Sequence, residues 1–221
     1  MDRRDRIAGQ LRGFGPIGMA AVLLIVAANM FLAPLGALLV LLWAWLARLP
    51  WPELGFRRPN SWLLLFAGGI LGGLLLKLVQ KAILMPLLGA PEVNAYFHFI
   101  AGNPAAMVKM LIASVIIGGI GEEIFYRAYL FERLGRLWGE SAVAKIATLL
   151  LTTIVFGLVH LSEQGVAGAQ QAIFTGLVFG ISYLLSGRIW LSMVIHSAYN
   201  IAAVLIIYWG LETAIAHSLF G

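Results

Sequence analysis

The stretch "MLIASVIIGGIGEEIFYR", residues 110–127, decides how this chain folds. Met110–Ile117 is apolar and ready to enter a bilayer. The same run then continues into two adjacent glutamates, Glu122 and Glu123, followed by Arg127. An ionisable residue inside a span costs about 2.5–3.5 kcal/mol on insertion scales, so residues retained there want a partner or a function. The stretch therefore reads as a membrane helix that carries chemistry.

Composition agrees. Of 221 residues, 61% are hydrophobic and 11% charged, with a mean hydropathy of +0.93. Soluble domains carry about 25% charged residues. Stretches 13–47, 59–76, 146–162, 164–187 and 189–211 contain no Asp, Glu, Lys or Arg; several approach the roughly 20 residues that cross a bilayer. The expected fold is all-α, a polytopic transmembrane bundle of about six to eight helices. Residues 1–221 form one membrane domain, with no room for a separate soluble module. The net charge of +5 comes from Lys and Arg at the ends of apolar runs, as membrane flanks have them, which argues against a nucleic-acid partner. No cysteine is present, so disulfides, a thiol nucleophile and Cys-based metal sites are excluded. "MDRRDRIAGQLR" followed by apolar residues resembles a signal peptide, but hydrophobicity continues to Ala47 without a cleavage site. It reads as an uncleaved anchor.

Along the chain, 17–47 is too long for one straight helix. Asn29 and Pro34 sit at its middle and arginines flank both ends, so a tight hairpin is expected. Ser61 caps a helix over 62–88 whose Lys77 and Lys81 share a face near an interface. "GAPEVNAYFHFIAGNP" is the longest polar loop, expected along the membrane surface. Asn103 and Pro104 then start a helix reaching about Leu137. Helices follow at 142–160, 168–186 and 189–209, with a turn at "LSEQGVAG".

Three polar clusters lie inside these spans: Glu122, Glu123 and Arg127; "FGLVH", ending at His160; and "HSAYN", with His196 and Asn200 one turn apart. Measured from Arg133, Lys145 and Arg188 at 1.5 Å per residue, Glu122, His160, His196 and Asn200 lie roughly 16, 22, 12 and 18 Å deep. Three helices thus bring polar groups to one mid-bilayer level, tolerated only in a water-filled cavity. Glu123 and Arg127, at i,i+4 in the favourable order, neutralise one another. Glu122 is left without a helical partner and is the better general base. His196 and Asn200 both carry hydrogen-bond donors of the kind that stabilise an oxyanion. His98 and His217 receive no role, Glu163 reads as a solvated turn residue, and Phe125, Tyr126, Tyr129 and Phe131 as packing.

The clusters fit EExxxR, FxxxH and HxxxN in order. Over about residues 105–205 the chain resembles the CAAX protease and bacteriocin-processing family of membrane endopeptidases, which includes the type II CAAX prenyl endopeptidases. That resemblance implies a catalytic core at 105–205 and peptide-bond hydrolysis inside the membrane. Glu122 would activate water with help from His160, His196 and Asn200 would stabilise the oxyanion, and Glu123 and Arg127 would support them. One carboxylate and two imidazoles also suit Zn²⁺, with Glu122, His160 and His196 as ligands. The absence of an HExxH helix and the tandem carboxylate favour a cofactor-free, glutamate-dependent mechanism. Two other classes compete. A proton-coupled transporter would keep buried carboxylates, but no paired halves are detectable. A non-catalytic scaffold or bacteriocin-immunity protein would not need every catalytic-type position intact. The expected setting is a bacterial inner membrane, with lipids and a membrane-associated peptide or protein substrate as partners.

Overall fold

The computed structural model describes residues 2–219, and among these it contains eight helices and no strand. They are α1 (Arg3–Arg12), α2 (Pro16–Phe31), α3 (Ala33–Leu46), α4 (Trp62–Leu87), α5 (Pro104–Trp138), α6 (Ala142–Ser186), α7 (Ile189–Tyr208) and α8 (Glu212–Ala216). The chain is a polytopic helical membrane protein: α4, α5, α6 and α7 are each long and apolar enough to cross a bilayer. The pair α1–α2, bent by 60°, adds a fifth candidate if taken as one span.

The hairpin expected over 17–47 forms. Helix α2 ends where Leu32 turns extended, and Pro34 lies in the first turn of α3. Both ends of the hairpin return to the same place: Arg12 Nε donates to the carbonyl of Ala47 at 2.6 Å, and Arg48 pairs with Asp5. The basic leader is not continuous with α2 but forms a separate ten-residue polar helix, α1, with the break at Gly13–Gly15. Ser61 and Asn103 cap α4 and α5, accepting from the backbone N–H of Leu64 and Ala106. Each satisfies one of the orphan donors of a helix start.

Helix α7 is the central element, with 56% of its span buried against 17% for α4. The two lie in backbone contact because Gly69 and Gly73 have no side chains. A Cβ on Gly69 would run into Val194, and one on Gly73 into Ile195, Ala198 and Tyr199. Small residues that let helices approach are how membrane helices gain packing without a hydrophobic driving force. The outward faces of α4 and α6 carry exposed Leu, Ile and Val, the surface that lipid covers.

Two features depart from the expected local structure. The turn at "LSEQGVAG" narrows to a kink where two helices of α6 meet end to end at a single non-helical residue, Gly165, at φ 66° and ψ −166°. That backbone region belongs essentially to glycine, so one residue redirects α6 without a loop. Helix α5 is wound with wider π-type turns over Ser114–Glu122 and Ile124–Tyr129. Such windings interrupt a helix most often at functional sites, and here they coincide with the two glutamates and Arg127.

Candidate active site

The side chains of α5 sort into two environments. Glu123 is fully buried and Arg127 nearly so, whereas Glu122 faces a cavity of about 1470 Å³. Arg127 Nη1 donates to Glu123 Oε1 at 2.7 Å, and Arg127 Nη2 donates to the carbonyl of Gly176 on α6 at 2.9 Å. The guanidinium lies 5.0 Å from the ring centroid of Phe156 and 5.4 Å from that of Phe179. Aromatic faces attract a desolvated cation electrostatically. The glutamate–arginine pair expected from the spacing is therefore present, and it ties α5 to α6.

Glu123 has a second partner that the sequence did not suggest. Its Oε1 also accepts from His196 Nδ1, on α7, at 2.8 Å. One carboxylate oxygen thus joins α5 to α7, and Arg127 carries the link on to α6. Because Nδ1 carries the hydrogen, His196 presents Nε2 to the cavity, 3.7 Å from Glu122 Oε2. The imidazole is held flat against Phe179, with centroids 4.3 Å apart, and edge-on to Phe156 at 6.0 Å. A ring fixed on one edge by a carboxylate and on one face by an aromatic has little freedom to turn.

His160 is oriented by its own helix. Its Nδ1 donates to the carbonyl of Phe156 one turn earlier at 2.7 Å. That bond fixes the tautomer, so Nε2 carries the lone pair and is the free acceptor. His160 also lines the cavity and packs on Phe156, with centroids 4.7 Å apart. Asn200 lines it too, one turn beyond His196 on α7.

Glycine makes room for the last two residues. A Cβ on Gly118 would collide with Asn200 Nδ2 and stand 3.3 Å from His196 Nε2. The two nitrogens therefore converge over the bare Cα of Gly118, one turn before Glu122. Next to it, a Cβ on Gly119 would overlap the hydroxyl of Ser197. All four candidate catalytic residues line one cavity, and the two candidate supporting residues lie directly behind them.

Among the described residues, no three His, Asp or Glu side chains are gathered closely enough to hold a metal ion. Of the candidate zinc set of Glu122, His160 and His196, Glu122 Oε2 and His196 Nε2 stand 3.7 Å apart, and the three are not drawn into one metal-ligating group among the described residues. Sequence reasoning missed Phe156, Phe179, Gly118 and Gly176, because apolar residues and glycines carry no local signal in a chain this apolar. It did not foresee that Lys77 and Lys81 are both buried and line the cavity. The loop between α4 and α5 contributes Asn94, Tyr96 and Phe97 to the same cavity wall, and Tyr96 donates its hydroxyl to Glu163 at 3.1 Å.

Residues 104–202 match the family described as type II CAAX prenyl endopeptidase Rce1-like, a family of membrane proteases. No curated protein and no solved structure matches the chain. The matched segment runs from the first residue of α5 to within α7 and contains EExxxR, FxxxH and HxxxN. Over residues 104–202, somewhat under half of its length, the chain is similar to the Rce1-like CAAX protease family.

Proposed function

We propose that the protein is a glutamate-dependent intramembrane endopeptidase that hydrolyses peptide bonds of membrane-associated substrates without a metal or other cofactor. The observation that carries this reading is the division of labour between the two glutamates. Glu123 is consumed by Arg127 and His196, while Glu122 faces the cavity with two histidines and an asparagine around it.

The chemistry follows from the free atoms. A water held between Glu122 and the lone pair of His160 Nε2 has both hydrogens accepted and its own lone pair aimed at a carbonyl carbon. Glu122 takes one proton as the C–O bond forms, and the carbonyl electrons move to oxygen. Asn200 Nδ2 donates to that oxyanion, as does His196 Nε2 in the imidazolium form, whose positive charge lies against Glu123. Glu122 then passes its proton to the departing nitrogen as the C–N bond breaks, leaving an amine and a carboxylic acid, whose remaining proton is lost to the His160 Nε2 lone pair and from there to solvent. Preorganised donors of this kind are each worth roughly 2.7–4 kcal/mol of barrier. Glu123 and Arg127 position His196 and do not touch the reacting atoms.

No step in this reading is routed through a metal, and chelation decides between it and the zinc alternative. The small, Ala-, Leu- and Gly-rich chain suits a bacterial inner membrane, and its flank charges favour α1 and the α5–α6 turn in the cytoplasm. The test is cleavage of an internally quenched peptide library by the detergent-purified protein, with and without EDTA or phenanthroline. The expected result is cleavage by the wild type that survives chelation and disappears in Glu122→Gln and His160→Ala. Cleavage lost on chelation and restored by zinc, or cleavage indifferent to both substitutions, overturns the proposal.

A further inference from the structure

The cavity holds a charge that the hydrolytic step leaves unused. Lys77 on α4 is only 8% exposed and lines the cavity. Among the described residues no carboxylate stands within ion-pair distance of its ammonium, and no hydrogen bond reaches it. What it faces is the ring of Tyr199, 5.0 Å from Nζ to centroid. The hydroxyl of that tyrosine is already committed to Gln80 and Gln171. Lys81, one turn further on, is equally buried but compensated, with Glu212 Oε1 at 4.0 Å and the carbonyl of Glu92 as a hydrogen-bond acceptor. Lys77 thus stands out as a buried cation with an open side toward the cavity. Removing such a charge from water without a counter-ion is costly even after relaxation, and the arrangement makes sense where an anion arrives from outside.

Its position says which anion. Tyr199 is the immediate neighbour of Asn200, and Gly73, one turn before Lys77, touches the backbone of Ile195 and Tyr199. Lys77 is therefore held against the part of α7 that carries the candidate oxyanion donors. A peptide whose scissile carbonyl sits at His196 and Asn200 has its next few residues within reach of Lys77 along the same wall.

We propose that Lys77 binds a carboxylate of the peptide substrate, either its C-terminal carboxylate or an acidic side chain close to the cleaved bond. This deepens, and rests on, the peptidase reading of the cavity. A single ammonium offers a point charge and rotatable donors to such a group. The wall around it is otherwise apolar or internally bonded, so an uncharged peptide end leaves Lys77 unpaired.

The experiment reads binding separately from cleavage. Pools of hydrophobic octapeptides are made as C-terminal acids and as C-terminal amides, each with and without one glutamate. They are equilibrated with detergent-purified Glu122→Gln protein, and retained peptides are quantified by mass spectrometry. Carboxylate-bearing peptides are expected to be retained roughly 10- to 100-fold over the uncharged amides, the range of a hydrogen bond to a charged group. In Glu122→Gln/Lys77→Met the ratio collapses toward one, and in Glu122→Gln/Lys77→Arg it persists. Equal retention of all pools, or a preference that Lys77→Met leaves intact, overturns the proposal. So does a Lys77-dependent uptake of phosphatidylglycerol with no discrimination among peptides, which would make the anion a lipid phosphate. Because retention is measured on a protein that does not cleave, a failure here is distinct from a failure of wild-type hydrolysis.

Discussion

Substituting Gly118→Ala adds one methyl group at the point where Asn200 and His196 meet. The new Cβ would lie inside contact distance of Asn200 Nδ2 and 3.3 Å from His196 Nε2. Carbon and polar atoms settle at about 3.5–4.0 Å, so the Asn200 amide must retreat by about 1 Å. His196 cannot follow it easily, being bonded to Glu123 at 2.8 Å and stacked on Phe179. The two oxyanion donors are then no longer aimed at one point. A misplacement of about 1 Å in a catalytic constellation costs on the order of 100-fold, or about 2.7 kcal/mol of barrier. Folding is affected less, because the end of an Asn side chain swings aside into the cavity without moving backbone. The expected outcome is a kcat on the library-selected peptide reduced about 100-fold, with the detergent melting temperature nearly unchanged. Gly119→Ala is the contrast. Its Cβ would overlap Ser197 Oγ and stand 3.1 Å from the carbonyl of Met193, which forces α5 and α7 apart. That variant loses stability by about 1–3 kcal/mol. Wild-type kcat in Gly118→Ala would refute the convergence of the two donors, and so would a loss explained wholly by unfolding.

Glu123→Ala strands Arg127 and His196 without their shared acceptor. Breaking one side of a buried pair destabilises by about 3–5 kcal/mol, read as a large fall in melting temperature together with loss of cleavage. His160→Ala removes a side chain whose one hydrogen bond among the described residues is to the carbonyl of Phe156. Activity is expected to fall roughly 10²–10⁴-fold, the range of a lost acid–base group, while the melting curve stays close to wild type. Gly165→Ala puts a Cβ on a backbone at φ 66° with no atom within 4 Å of it. The cost is then conformational alone, about 1–3 kcal/mol, and a circular-dichroism melt measures it.

The sequence made the polar level of the site legible because charge is expensive in a bilayer. Glu122, His160, His196 and Asn200 stood out against apolar neighbours, and counting residues along each helix brought them to the same depth. The hairpin at 17–47 was legible for a related reason, since its length and flanking arginines allowed little else. What stayed hidden depends on rotation rather than depth. Counting residues takes each helix as straight and regular, whereas α5 is π-wound through Glu122 and Arg127, which changes the direction each side chain faces. The bond between Glu123 and His196 joins residues 73 positions apart in the chain, which no local pattern announces. The burial of Lys77 and Lys81 stayed hidden because nothing in α4 alone shows that α7 and the loop before α5 enclose them. Gly165 was hidden inside a polar stretch that resembles any turn.

The central claim is that Glu122 acts as a base on water. The most direct test is single-turnover cleavage in H₂¹⁸O, with chelator present and protein in excess over a library-selected peptide. The account predicts that the new C-terminal carboxyl carries one ¹⁸O from the first turnover, and that Glu122→Gln releases no product. A first-turnover product without ¹⁸O would contradict it, because the attacking oxygen would then have come from the protein and not from water.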